Sequence, residues 1–245
     1  MISENILSIK AGSSVYLGEL PRTRRHKHAA VVLLIGLSGP IRIEFDGGAV
    51  LECRSALLDA GVNHVLDSCD QRIATVFFDL NQPLSQWLRF AYFQNTPYAF
   101  DLIEPAVYKQ AKERRLLERD WQSLFSSPVN LDELGRFDAR ILDCVRRLHL
   151  PEHFSDQQPE FAQHASLSPS RLNHLFKENT GVSFRHYKLW SQLLYFMKSV
   201  NRSKNLLDAA HHSGFYDSAH LSNSYQKMLG IAPSSILRNL HRFEV

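Results

Sequence analysis

Cysteine is scarce in this sequence. Cys53, Cys69 and Cys144 are the only three in 245 residues, scattered and odd in number. They form no C-x-x-C pair, which argues against a cysteine zinc site or a disulfide framework and leaves free thiols in a reducing compartment. Long apolar runs are also missing. The longest is Ala29 to Leu37, nine residues, far short of the roughly 18 that span a bilayer. Met1 to Lys10 lacks the layout of a signal peptide. These absences predict a cytoplasmic protein with no membrane partner. The formal net charge is only +3. With 44% hydrophobic and 22% charged residues, the chain is neither a disordered tail nor a coiled-coil rod. At roughly 100–200 residues per domain, its length allows one large domain or two modest ones.

The small net charge hides an asymmetry. Residues 1–135 hold 14 Lys/Arg against 16 Asp/Glu, a net of −2; residues 136–245 hold 14 against 9, a net of +5, with 9 of the 12 histidines. A basic second half behind a near-neutral first half favours an anionic partner for the second. The first half reads as short strands. Ser14–Leu20, Ala29–Leu37, Ile41–Phe45, Ala49–Cys53, Ser55–Asp59 and Ile73–Leu80 are the expected segments, and Asp46-Gly47-Gly48 is an expected hairpin turn. Pro83–Gln94 reads as a helix and Ile103–Phe125 as a longer amphipathic one. Ser126-Ser127-Pro128 breaks the pattern. Everything beyond it reads helical, beginning at Asp138. The expected architecture is α+β: a β-barrel or sandwich with C-terminal helices, then an all-α domain. The expected domains are 1–125, a linker at 126–135, and 136–245.

The second half contains an internal repeat. Phe161–Phe184 reads FAQHASLSPSRLNHLFKENTGVSF, and Asp208–Pro233 reads DAAHHSGFYDSAHLSNSYQKMLGIAP. Ala162 pairs with Ala210 and Ser166 with Gly214. Leu172, Phe176 and Gly181 pair with Leu221, Tyr225 and Gly230 at a constant offset of 49. Each copy has a small residue where two helices cross, a turn residue suited to left-handed geometry, and an N-cap (Ser168 or Asp217). An apolar i, i+4 pair and a C-terminal glycine complete it. Two helices joined by a tight turn make a helix-turn-helix, and the sequence holds two, joined by a long helix whose apolar stripe includes Phe184, Tyr187, Trp190 and Met197. The second helix of each unit has a polar outer face. In the first it comprises Ser170, Arg171, Asn173, His174 and Lys177; in the second, Ser218, His220, Ser222, Asn223 and Lys227. Such faces suit the major groove of double-stranded DNA.

Residues 136–245 resemble the DNA-binding domain of the AraC/XylS family of transcription regulators. The residues that carry the resemblance are Ala210, Gly214, Phe215, Asp217, Ala219, His220, Leu221, Tyr225, Lys227, Gly230 and Pro233. The resemblance implies transcription regulation, reading of two successive major grooves by the two units, contact with RNA polymerase as an activator, homodimer formation and a small-molecule effector. The chain departs from the family at His174, Asn223 and Gln192, where arginine is common, which implies a different sequence preference.

The strand-rich half resembles the cupin-like sensor domain of such regulators. His26-Lys27-His28 precedes the long strand, and Asp59-Ala60-Gly61-Val62-Asn63-His64 is similar to the second cupin motif. Metal cupins gather a His-x-His pair and a distant histidine on one ion. The rival function is therefore a cupin-type metal-dependent enzyme fused to a DNA-binding tail. The cupin pattern also asks for a glutamate soon after the histidine pair, whereas His28 is followed by Ala29-Ala30-Val31-Val32-Leu33. The expectation is thus no metal, no cofactor and no catalysis, with Arg25, His28 and His64 as effector-binding residues. The basic run from Arg22 to His28 reads as a solvated loop, as part of an anionic effector site, or as an arm touching the DNA-binding half.

Overall fold

The computed structural model describes residues 5–10, 12–103, 121–125, 137–200, 206–237 and 240–244. Most of the long helix expected at 103–125, and the whole linker expected at 126–135, lie outside these residues.

The first half is built from β1 (Asn5–Lys10), β2 (Ser13–Glu19), β3 (Val31–Gly36), β4 (Ile41–Phe45), β5 (Val50–Cys53), β6 (Ser55–Leu58), β7 (His64–Asp67), β8 (Arg72–Phe78), helix α1 (Pro83–Tyr92) and β9 (Tyr98–Phe100). Strand β3 lies between β6 and β8 and is buried along its whole length. Both faces are covered, so its sequence is a continuous apolar run rather than an alternating one. In β4 the alternation is present: Ile41, Ile43 and Phe45 are buried while Arg42 is exposed. The turn after β4 closes with the Ala49 carbonyl accepting from the Phe45 amide at 2.8 Å. Gly47 and Gly48 there take φ of +87° and +84°.

The second half comprises α2 (Ala139–Leu148), α3 (Gln158–His164), α4 (Pro169–Thr180), α5 (Phe184–Val200), α6 (Leu206–His212), α7 (Ser218–Leu229) and α8 (Pro233–Leu237). The sequence reads as helical to its end, and here the structure differs. Residues Leu240–Glu244 form a strand, β10, that pairs parallel with β1. The larger sheet runs β10-β1-β2-β8-β3-β6-β9, and a second runs β5-β4-β7. Among the described residues, every strand pair apart from β10 with β1 is antiparallel. Nothing local marks β10 as a strand; its partner lies more than 200 residues away in sequence. Nearly all of the buried apolar residues form one cluster running from Ile6 in β1 to Ile236 in α8. The sheets and the helical half therefore share a core.

Candidate nucleic-acid interface and the seam behind it

Helices α3 and α4 form the first helix-turn-helix, and α6 and α7 the second. Ser166 and Gly214 take the left-handed turn conformation, with φ of +54° and +80°. The Ser168 hydroxyl accepts from the Arg171 amide at 3.2 Å, and the Asp217 carboxylate accepts from the His220 amide at 2.6 Å. Both caps satisfy amides that the first helical turn leaves unpaired. Ala162, Ala210, Leu172, Phe176, Leu221 and Tyr225 are all buried. The two units thus repeat each other in geometry as in sequence.

On α4, Ser170, Arg171, Asn173, His174 and Lys177 are all exposed. On α7, Ser218, Asn223 and Lys227 are exposed, whereas His220 and Ser222 are half-buried. The His220 ring stacks on Tyr216 at 5.5 Å and meets the edge of Phe215 at 5.4 Å. Part of its surface is therefore spent on the turn. Tyr216, 80% exposed, stands beside the α7 N-cap and was not among the residues expected on this face. The signal for it was a large aromatic in a polar turn. Gln192, one of the departures from the family pattern, is buried; its amide nitrogen lies 3.4 Å from the Gly214 carbonyl.

Behind this interface the helical half is seated on the sheets by its two C-capping glycines. Gly230, at φ +73°, ends α7, and its carbonyl accepts from the Arg24 amide at 2.7 Å. A Cβ there would lie 2.5 Å from His26 Nδ1 and 2.6 Å from the Arg24 carbonyl oxygen. Gly181, at φ +79°, ends α4, and a Cβ there would lie 3.2 Å from the Ala60 carbonyl oxygen. The first helix-turn-helix thus rests on the turn at 59–61 and the second on residues 23–26. Further bonds cross the seam. Arg89 of α1 pairs with Asp59 at 2.9 Å and also donates to the Asn179 carbonyl at the end of α4. Arg24 donates to Gln226 Oε1 at 3.1 Å, and His186 Nε2 lies 3.2 Å from the Lys27 carbonyl oxygen.

Asp79, at the end of β8, is buried and reaches His149 Nε2 at 2.9 Å while accepting from the Tyr187 hydroxyl. Burial alone would raise its pKa. The charge and hydrogen bond of His149, with the Tyr187 hydroxyl, outweigh that and hold the carboxyl below its ordinary 3.8. The same burial, together with Asp79, pushes the Tyr187 phenol well above its usual range. A cavity of about 250 Å³ lies along this seam, lined among others by Ile9, Lys10, Phe77, Asp79, His149 and Trp190.

Of the expected effector residues, the structure brings His28 and His64 together and leaves Arg25 outside. Arg25 pairs with Glu44 and, at 2.9 Å, with Asp46 on the surface. His26 joins the other two histidines. Their relative exposures are 4%, 5% and 1% for His26, His28 and His64. Burial, with the neighbouring imidazoles, lowers His26 to about 3 and His28 well below 6.5; burial brings His64 down to about 4. The basic run at 22–28 is therefore divided between surface ion pairs, the seam, and this buried cluster.

Residues 161–239 match the family model described as a helix-turn-helix domain. The arabinose operon regulatory protein of Salmonella typhimurium strain LT2 is 29% identical over 103 residues, which cover 40% of this chain and 35% of that protein. The Escherichia coli K12 protein of the same name is 29% identical over 103 residues, 40% of this chain and 34% of its own length. The match thus spans about a third of these curated relatives. Among solved structures, ToxT from Vibrio cholerae O395 superposes with a TM-score of 0.63 at 11% identity, covering 95% of this chain and 99% of ToxT. Wild-type ToxT from strain SCE256 with bound unsaturated fatty acid gives 0.56 at 13% identity, covering 98% of each chain. That likeness is one of fold, antiparallel sheets followed by helices. With two capped helix-turn-helix units on the basic half and these matches to them, residues 161–239 form a helix-turn-helix domain of the AraC type.

Proposed function

We propose that this chain is a sequence-specific transcription regulator, not an enzyme, that reads two successive major grooves of double-stranded DNA with α4 and α7. The observation that carries this reading is the pair of capped second helices with polar, exposed outer faces, joined by α5. At 1.5 Å per residue, the 17 residues of α5 span about 25 Å, a rigid spacer of the scale needed between half-sites about 34 Å apart. Lys177 and Lys227 serve phosphates, and Asn173 and Asn223 reach base edges, where Asn favours adenine. RNA polymerase contact and homodimer formation belong to the same reading. So does control by a small-molecule effector, since one ToxT structure holds an unsaturated fatty acid. The seam cavity beside Lys10 and Trp190 is the place we assign to that effector. The enzyme alternative finds little support, because the three clustered histidines are almost wholly buried.

Binding-site selection on the wild-type chain, Asn173→Ala and Asn223→Ala tests this. Each substitution is expected to relax preference at its own base pairs only, at about 1–3 kcal/mol per lost contact. Both variants altering the same base pairs, or a selected site shorter than one helical turn, would refute the two-groove reading.

A further inference from the structure

We infer that His26, His28 and His64 form a binding site for one divalent first-row transition-metal ion, and that the ion fastens together the two segments on which the helix-turn-helix units sit. One ring nitrogen from each histidine lies within 4.8 Å of the others, and all three side chains are buried. The rings lie 4.3–5.3 Å apart, centroid to centroid.

The hydrogen bonding assigns the protons. His26 Nδ1 lies 2.9 Å from the Arg24 carbonyl oxygen, and His64 Nδ1 lies 3.0 Å from the Val62 carbonyl oxygen. A carbonyl only accepts, so each Nδ1 carries the hydrogen and each Nε2 presents a lone pair. His64 Nε2 has no hydrogen-bond partner. His26 Nε2 faces His28 Nε2 at 3.1 Å. His28 Nδ1 has no partner within hydrogen-bond geometry either. Buried ring nitrogens without partners cost free energy. Metal-ligating histidines usually donate the other ring N–H to a carbonyl or carboxylate, which fixes the ring and makes the lone pair more basic. His26 and His64 are already held this way.

Three neutral imidazoles suit zinc, nickel, copper or iron(II), and not magnesium or calcium, which prefer oxygen. Nitrogens at about 2.0–2.1 Å from zinc stand a little over 3 Å apart, so closing the set requires movements of about an ångström. Water, hydroxide or a small anion completes the tetrahedron. The glutamate missing after His28, on which the expectation of no metal rests, is not needed for a three-nitrogen set.

The location gives the ion its role. His26 lies in the segment that receives Gly230, and His64 follows the turn that receives Gly181. The two segments meet in a short backbone bridge, with His26 N to His64 O at 3.0 Å and His64 N to His26 O at 2.9 Å, flanked by Thr23 N to Leu66 O and Gly61 N to His28 O, each at 2.9 Å. An ion held by both would stiffen that bridge, and with it the seat of α4 and α7.

The test uses the full chain, stripped with a chelator and titrated with zinc and then cobalt(II). We expect one ion per chain, visible absorption bands of four-coordinate cobalt, and slower amide exchange at Arg24, Gly181 and Gly230. His28→Gln and His64→Gln, checked for folding by circular dichroism, should each weaken uptake by at least about 100-fold, since even loss of an outer-shell partner costs 10–100-fold. A variant lacking the exposed pair His211 and His212 should bind normally. Absence of stoichiometric uptake by the wild-type chain overturns the site, and needs no variant. Uptake that survives His28→Gln and His64→Gln, or that His211 and His212 account for, overturns it too. Uptake with exchange unchanged at Gly181 and Gly230 overturns the fastening role. None of these readouts involves DNA, so failure here is distinct from failure of the proposed function.

Discussion

Replacing Gly230 by alanine should cost far more than a C-cap glycine ordinarily does. Two penalties are separable. The first is conformational: at φ +73° an L-residue pays about 1–2 kcal/mol for the left-handed region. The second is steric. The new methyl would lie 2.5 Å from His26 Nδ1, 2.6 Å from the Arg24 carbonyl oxygen and 2.7 Å from Thr23 Cβ. Two of these three are backbone or Cβ atoms, which cannot swing away. Overpacking of this kind costs about 1–3 kcal/mol. The total is about 2–5 kcal/mol. Gly47 supplies the control: its φ is +87°, yet a Cβ there meets nothing within 4 Å. Gly47→Ala should therefore show the conformational cost alone, about 1–2 kcal/mol. The assay is urea unfolding of both variants and the wild-type chain, comparing midpoints at unchanged m-value. If Gly230→Ala is no worse than Gly47→Ala, the second helix-turn-helix does not seat on residues 23–26 as described.

Replacing Lys177 or Lys227 by alanine should weaken binding to all DNA sequences alike and reduce the slope of log affinity against log salt by about 1 each, measured by fluorescence anisotropy across a salt series. Asp79→Asn should destabilise the chain by about 1–3 kcal/mol near neutral pH, by removing the carboxylate that serves Tyr187 and His149. Because the folded pKa of Asp79 is depressed below 3.8, the carboxylate's contribution is complete above that value and is lost as pH falls through and below it. The difference between wild type and Asp79→Asn should therefore shrink in unfolding curves taken below about pH 4; a gap that widens there would contradict the network.

The features legible in the sequence were those whose causes are local. The caps at Ser168 and Asp217, the left-handed turns at Ser166 and Gly214, and the stops at Gly181 and Gly230 each depend on a few neighbouring residues. The buried run of β3 and the alternation of β4 were equally plain. What stayed hidden depends on distant partners. Gly181 and Gly230 read as helix ends, but their close approach to Ala60 and Arg24 can be seen only once the halves are docked. His26 and His28 were visible as a pair and His64 as a distant third, but not their burial or the orientation of their ring nitrogens. His220 read as a base-reaching residue, and its stacking on Tyr216 shares it with the turn.

Strand β10 changes what it means for the halves to move. It follows the last helix of the DNA-binding part, yet it forms the outermost strand of the sheet in the other part, beside β1. The helix-turn-helix units are thereby latched as well as seated. A displacement of the helical half away from β1 must unzip the parallel ladder from Asn5–Leu240 to Ser8–Glu244. Release is then closer to a click than a glide, because a short ladder opens cooperatively and not by degrees. Once open, β1 would bare a row of unpaired amides and carbonyls, a surface that invites another strand. The nearest strand of matching shape would be the β10 of a second copy, so an unlatched chain would have a direct route to a strand-exchanged dimer.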